Sequence, residues 1–153
     1  MSSLNNREEA LLELYERIKV NRVELGLATF KRTPTEPIND SDMPCIIMIE
    51  GSDSILVPNS RNTSGYPVRR LLEVTLELIT TSVTDIKKTL RDLRRIVFTE
   101  RDTDPPIFNA RLLPDGRTGL IQENRTEGPT GYGLPDVLGM SLVLDLVYND
   151  DVM

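Results

Sequence analysis

The sequence predicts an α+β fold: a mixed or antiparallel β-sheet of about four strands with two helices packed on one face, plus a β-hairpin extension. Three observations predict it. Two stretches carry apolar residues at helical spacing on a single stripe. Residues 69–81 and 137–148 alternate along the chain, with leucines collected on one side. The strand pairs are separated by long polar connections bearing proline, as antiparallel neighbours allow. The 153 residues suit one domain, 1–153, with one core.

The first helix begins near Asn5 or Asn6. Asn6 followed by Glu9 has the spacing of a capping box, and Leu11, Leu14, Tyr15 and Ile18 form the buried face. Glu8, Glu9, Glu13, Glu16 and Arg17 fall mostly on the other side. Thr29–Arg32 suits a short strand. The run TPTEPINDSD then breaks structure with two prolines and a cluster of Asn, Asp and Ser. Its acids Asp40 and Asp42 lack the glycine and distal glutamate of a calcium loop.

Met43 to Glu50 reads as a strand, with Cys45, Ile47 and Ile49 on one face and Ile46 and Met48 on the other. A polar connection follows over 52–68. In the alternating strand 69–81, Leu72, Val74, Leu76 and Leu78 face a core, while Glu73, Thr75 and Glu77 face water or a polar partner. The second helix, capped near Ser82 or Thr84, has the stripe Ile86, Leu90, Leu93 and Val97. Lys87, Lys88, Arg91, Arg94 and Arg95 surround that stripe and make the helix net positive. Phe108–Leu113 and Gly119–Glu123 flank Pro114-Asp115-Gly116-Arg117, the signature of a hairpin turn. Residues 124–136 read as a polar loop. The last strand turns Leu138, Met140, Leu142, Leu144, Leu146 and Tyr148 to one face.

Composition narrows the chemistry. There is no histidine, so the commonest general base and a frequent metal ligand are missing. The single cysteine, Cys45, sits among Ile and Met, where a thiol acts as a small buried hydrophobe. One thiol forms no intrachain disulfide, which suits a reducing compartment. The glycines of 128–133 match no phosphate-binding pattern. Glu73 and Glu77 are ordinary acids on an exposed strand face rather than a catalytic pair. A formal charge of −6 argues against neutralising phosphates over a broad surface. Phe98 alone stands near the basic helix, so that helix is better read as a solvated or intersubunit face than as a nucleic-acid platform. No apolar run reaches the length of a membrane span, and the N-terminus lacks the basic start of a secretory signal. The expectation is a soluble, non-enzymatic protein with no cofactor and no metal.

Element order and segment placement carry a resemblance. A helix leads into ATFKRTPTEPINDSDMPCIIMIEG, then a long connection, RRLLEVTLELITT, SVTDIKKTLRDLRRIVF and the closing GMSLVLDLVYND. Over nearly its whole length the chain resembles the tail terminator proteins of long-tailed bacteriophages, also called minor tail or tail-to-head joining proteins. The resemblance implies a homo-oligomeric ring, usually a hexamer, located in the virion at the tail–neck junction. Such a ring sits on the last ring of the tail tube protein, stops tube polymerisation and offers a surface to the head-side connector. DNA would only pass through its lumen.

The residues suggest how such a ring would close. A sheet covered on one face has a second face to explain, and Ile46, Met48, Val143 and Val147 would make it partly apolar. The basic second helix, through Arg91 and Arg94, would meet Glu73, Glu77 or Asp145 of the next subunit. Asn59, Arg61 and Tyr66 are expected on the tube side. The hairpin tip, with Asp115 and Arg117, and the loop containing Tyr132 would form further contacts with tube or connector. Two other readings compete. One is a neighbouring neck protein, for head closure or tail completion. The other is a cytosolic oligomeric regulatory domain binding a small ligand near Gly131-Tyr132-Gly133 and Arg69-Arg70.

Overall fold

A computed structural model describes residues 5–32, 40–56, 68–81, 83–113, 119–131 and 137–150, with no side-chain description of residues 40, 68, 83–85 and 150. The elements in order are α1 (Asn6–Lys19), β1 (Thr29–Arg32), a short 3₁₀ turn (Asp40–Asp42), β2 (Cys45–Ile55), β3 (Val68–Thr80), α2 (Val83–Val97), β4 (Gly119–Gly131) and β5 (Leu138–Asp150). They build the α+β fold that the patterning predicts. The sheet has five strands in the order β1-β2-β3-β5-β4. It is mixed: β1 runs parallel to β2, and every other pair is antiparallel.

α1 starts one residue earlier in its capping frame than the Asn6–Glu9 reading. Asn5 is the N-cap, and its side chain accepts from the Glu8 amide at 2.8 Å. Asn6 is buried instead and donates to the Asn149 carbonyl at 2.8 Å. Both frames place a glutamate three residues after an asparagine, so spacing alone did not separate them. The predicted stripe of α2 is buried at Ile86, Leu90, Leu93 and Val97. The residue before that helix, Ser82, lies outside the described residues.

The two helices cover one face of the sheet. Leu72, Val74, Leu76 and Leu78 of β3 pack there with Leu142, Leu144, Leu146 and Tyr148 of β5. β2 required a correction. Its alternation is as predicted, but register pairs Ile46 with Leu78 and Met48 with Leu76, which puts both under the helices. The far face therefore carries Cys45, Ile47 and Ile79, which cluster with Val137. These four, with Val143 and Val147, are only 1–7% exposed within the single chain. The far face is thus not an open apolar sheet awaiting a cover, and these six residues have little apolar surface left to bury against another chain. What remains on it to meet solvent or a partner is largely polar.

Two further expectations change. Residues 124–131 are strand rather than loop, paired with β5 through two register shifts. Bulges of this kind are common at sheet edges. The hairpin extension is reduced to one isolated bridge, Arg111 with Leu120, flanked by bonds from the Leu112 amide to Gly119 O and from the Ile121 amide to Ala110 O. Its tip lies outside the described residues.

Candidate functional site

The outer surface of α2 follows from its sequence period. With Ile86, Leu90, Leu93 and Val97 turned inward, Lys87, Lys88, Arg91 and Arg95 are exposed. The C-terminal half of this face is used within the chain. Arg94 Nε donates to Glu123 Oε1 at 2.8 Å, and its Nη2 donates to Thr126 Oγ1 at 2.6 Å. Arg95 Nη2 reaches Glu24 Oε1 at 2.6 Å. The N-terminal half is not used in this way. Arg91 approaches only its sequence neighbour Asp92, at 3.8 Å, and Lys87 and Lys88 make no ion pair among the described residues.

The far face of the sheet is set by register. Glu73 lies directly across from Asp145, and Glu77 across from Ser141 on one side and Ile47 on the other. Arg125 of β4, opposite Val143, reaches Glu73 at 3.7 Å and Glu127 at 2.7 Å. Asp145 accepts from Asn124 Nδ2 at 3.0 Å. Glu77 is part-buried like Glu73 and Asp145 but differs from them in its partners: no described residue gives it a hydrogen bond or an ion pair. Burial pushes its carboxyl above the usual range. The structure therefore brings Glu73, Glu77 and Asp145 onto one face, as the alternation predicts, and places Arg91 and Arg94 in the opposite layer. Asn59, Arg61, Tyr66, Asp115, Arg117 and Tyr132 lie outside the described residues, as does Gly133 of the competing ligand-site reading.

Two charged arrangements were not anticipated. Arg7, Glu8, Arg32, Glu50 and Asp53 form a network where the start of α1 meets β1 and β2. Arg32 grips both Glu8 oxygens, at 2.6 and 2.9 Å, and Glu50 at 2.9 Å. Arg7 bridges Glu50 at 3.0 Å and Asp53 at 3.2 Å. The Arg32 fork holds the Glu8 carboxyl below its usual range. The second is Arg17, buried beneath the end of α2. Ala10, Leu14 and Arg17 stand at i, i+4 and i+7, so its inward direction was available from the period.

An open cleft of about 560 Å³ lies beside Arg17, with Glu13, Glu100, Arg101, Asp102 and Arg111 among its lining. Its acids and arginines balance in sign, and Arg17 and Arg101 are both committed to Glu13. Cys45 is buried, which pushes its thiol up and away from a reactive thiolate. Among the described residues, no three Cys, Asp or Glu side chains come together as a metal-ligand set.

No protein-family model matches the chain, and no curated protein matches it. Among solved structures, it is similar to a chain of the virion of native gene transfer agent (GTA) particle. The TM-score is 0.51 at 11% sequence identity, over 89% of this chain and 91% of that chain. At that identity the likeness is one of fold.

Proposed function

We propose that this chain is a structural virion protein whose copies form a ring that caps the phage tail tube, stops tube polymerisation and presents the attachment surface for the head connector. The observation that carries the reading is the end-to-end likeness of fold to a chain of a virion particle, which leaves little of either chain unmatched. The layered arrangement agrees with it. One side of the protomer presents exposed cations on α2, and the other presents an acid-bearing strand face. Contact between unlike surfaces of identical chains is heterologous, and it produces a ring when the rotation closes. Such a role asks for alignment and complementary surfaces, not for a catalytic group. The net charge of −6 would let DNA pass through a lumen without strong retention.

The experiment is a deletion in a phage that carries the protein, with tails imaged by negative stain. Loss of a terminator gives overlong tubes. Tails of normal length without heads would instead place the protein on the connector side of the neck. The native mass of the purified protein gives the subunit count, with six expected from the resemblance.

A further inference from the structure

Most arginines of the described chain are neutralised internally. Arg7, Arg17, Arg32, Arg94, Arg95, Arg101 and Arg125 each hold a carboxylate. Against that background two features stand out, and they have opposite sign. Glu77 is a part-buried carboxylate in the middle of the central strand, with no cation on it among the described residues. Lys87, Lys88 and Arg91 form an exposed cationic patch with no ion pair among the described residues beyond the 3.8 Å approach of Arg91 to Asp92.

Desolvating a carboxylate without a compensating charge or hydrogen bond is unfavourable. A cation on Glu77 would relieve that cost, but α2 of the same chain cannot supply it. α2 packs on the helical side of β3, and Glu77 points to the far side. The charged groups sharing the far face are Lys31 on β1, Arg69 and Glu73 on β3, Asp145 on β5, and Arg125 and Glu127 on β4. Of the three cations among them, Arg125 is committed to Glu73 and Glu127, Lys31 is two strands away, beyond Ile47, and Arg69 stands at the far end of β3, across from Asn149.

We infer that a second copy of this chain is the missing partner: the exposed N-terminal half of its α2 docks on the far face of the sheet, setting Lys87, Lys88 and Arg91 against Glu77. The inference rests on the ring reading and names the surfaces that would join one subunit to the next. Glu73 and Asp145, farther along the same face, extend the acidic lane on which the helix would lie. The apolar residues beside Glu77 are already packed within their own chain. The contact is therefore steered mainly by charge, and its strength should fall as salt rises.

The test is a charge exchange followed by sedimentation velocity and native mass measurement. Glu77→Lys and the pair Lys88→Glu with Arg91→Glu should each weaken self-association by about tenfold or more, as expected for close interfacial charge pairs. Combining all three substitutions should recover most of the loss. Glu77→Gln keeps the side-chain shape, so it should weaken association while leaving the melting temperature equal or higher. Wild-type assembly with no response to any of these changes would overturn the interface and leave the ring reading intact. A wild-type chain that stays monomeric at every concentration, alone and with tail tubes, would end both.

Discussion

Replacing Arg17 tests how the helices are held to the rest of the fold. Its side chain is 2% exposed. Nε donates to Glu13 at 3.0 Å, and Nη1 donates to the carbonyls of Val97 at 2.8 Å and Asn109 at 2.7 Å. Nη2 donates to the Arg111 carbonyl at 3.2 Å. Val97 is the last residue of α2, where carbonyls lack helical partners. One guanidinium therefore joins α1, the end of α2 and the segment leading to β4. Arg17→Met keeps the stem and the volume but removes every donor. Glu13 is not orphaned, because Arg101 remains on its other oxygen at 3.0 Å. Of the three carbonyls left, that of Val97 is buried and those of Asn109 and Arg111 border the open cleft; each bond lost to the charged guanidinium is worth about 1 kcal/mol or more. The expected loss is about 3 kcal/mol, at the lower end of what breaking a buried charged network costs. At this chain length that is a fall in Tm of about 6–12 °C. The assay is a thermal melt by circular dichroism, with a urea titration to check that the slope is unchanged. Arg17→Lys keeps the charge but not the fork, and should recover less than half of the loss. An Arg17→Met protein melting within about 2 °C of wild type would refute the reasoning.

Three other expectations follow from local geometry. Gly128 sits at φ +101°, and a Cβ there would lie 2.8 Å from the Gly139 carbonyl oxygen; Gly128→Ala should cost about 1–3 kcal/mol, read as a lower urea midpoint, and an unchanged midpoint would contradict it. Tyr148 donates its hydroxyl to Asp53 at 2.5 Å; Tyr148→Phe should cost about 1.5–3 kcal/mol, nearer the lower figure because Arg7 stays on Asp53, and a neutral result by chemical denaturation would count against that bond. The last concerns pH. Glu8 is held below its ordinary 4.5 by Arg32, so its contribution is present above that value and lost as pH falls through the depressed one. Glu77 is raised by burial, so its effect has the opposite sign: stability is gained as pH falls through its raised value towards 4.5. Melts across pH should show a shallower acid limb in Glu8→Gln, and less change between pH 7 and 4.5 in Glu77→Gln.

How much of this was legible depended on whether burial left a polarity in the sequence. β3 sets leucines and a valine against glutamates and a threonine, and β5 sets its leucines against glycine, serine, aspartate and two valines, so the helix-facing side of each was read correctly. β2 opens with four buried residues, Cys45–Met48. Its alternation was visible, but nothing in a wholly apolar run says which face meets the helices. That choice is made by pairing with β3, thirty residues away in the chain for Ile47 and Glu77. β4 failed for the opposite reason. Beyond Ile121 it is an edge strand with most side chains exposed, so polar residues, two glycines and a proline hid a real ladder. Of the proposed interface, the signs were readable from the helix and strand patterns. Which charges are already spent was not, because Arg94 with Glu123 and Arg125 with Glu73 are meetings made by tertiary packing.

The strand order also governs how the molecule comes to exist. β5, from the last part of the chain, lies between β3 and β4, and its Leu144 pairs with Val74 of β3. While ribosomes are still short of residue 150, β3 has its β2 neighbour but lacks its other one, and the leucines that belong beneath the helices have half a floor. Such distant pairing makes for slow folding. Until β5 is made, β3 and β4 have no common neighbour, and the sheet beneath the helices stays open at its centre.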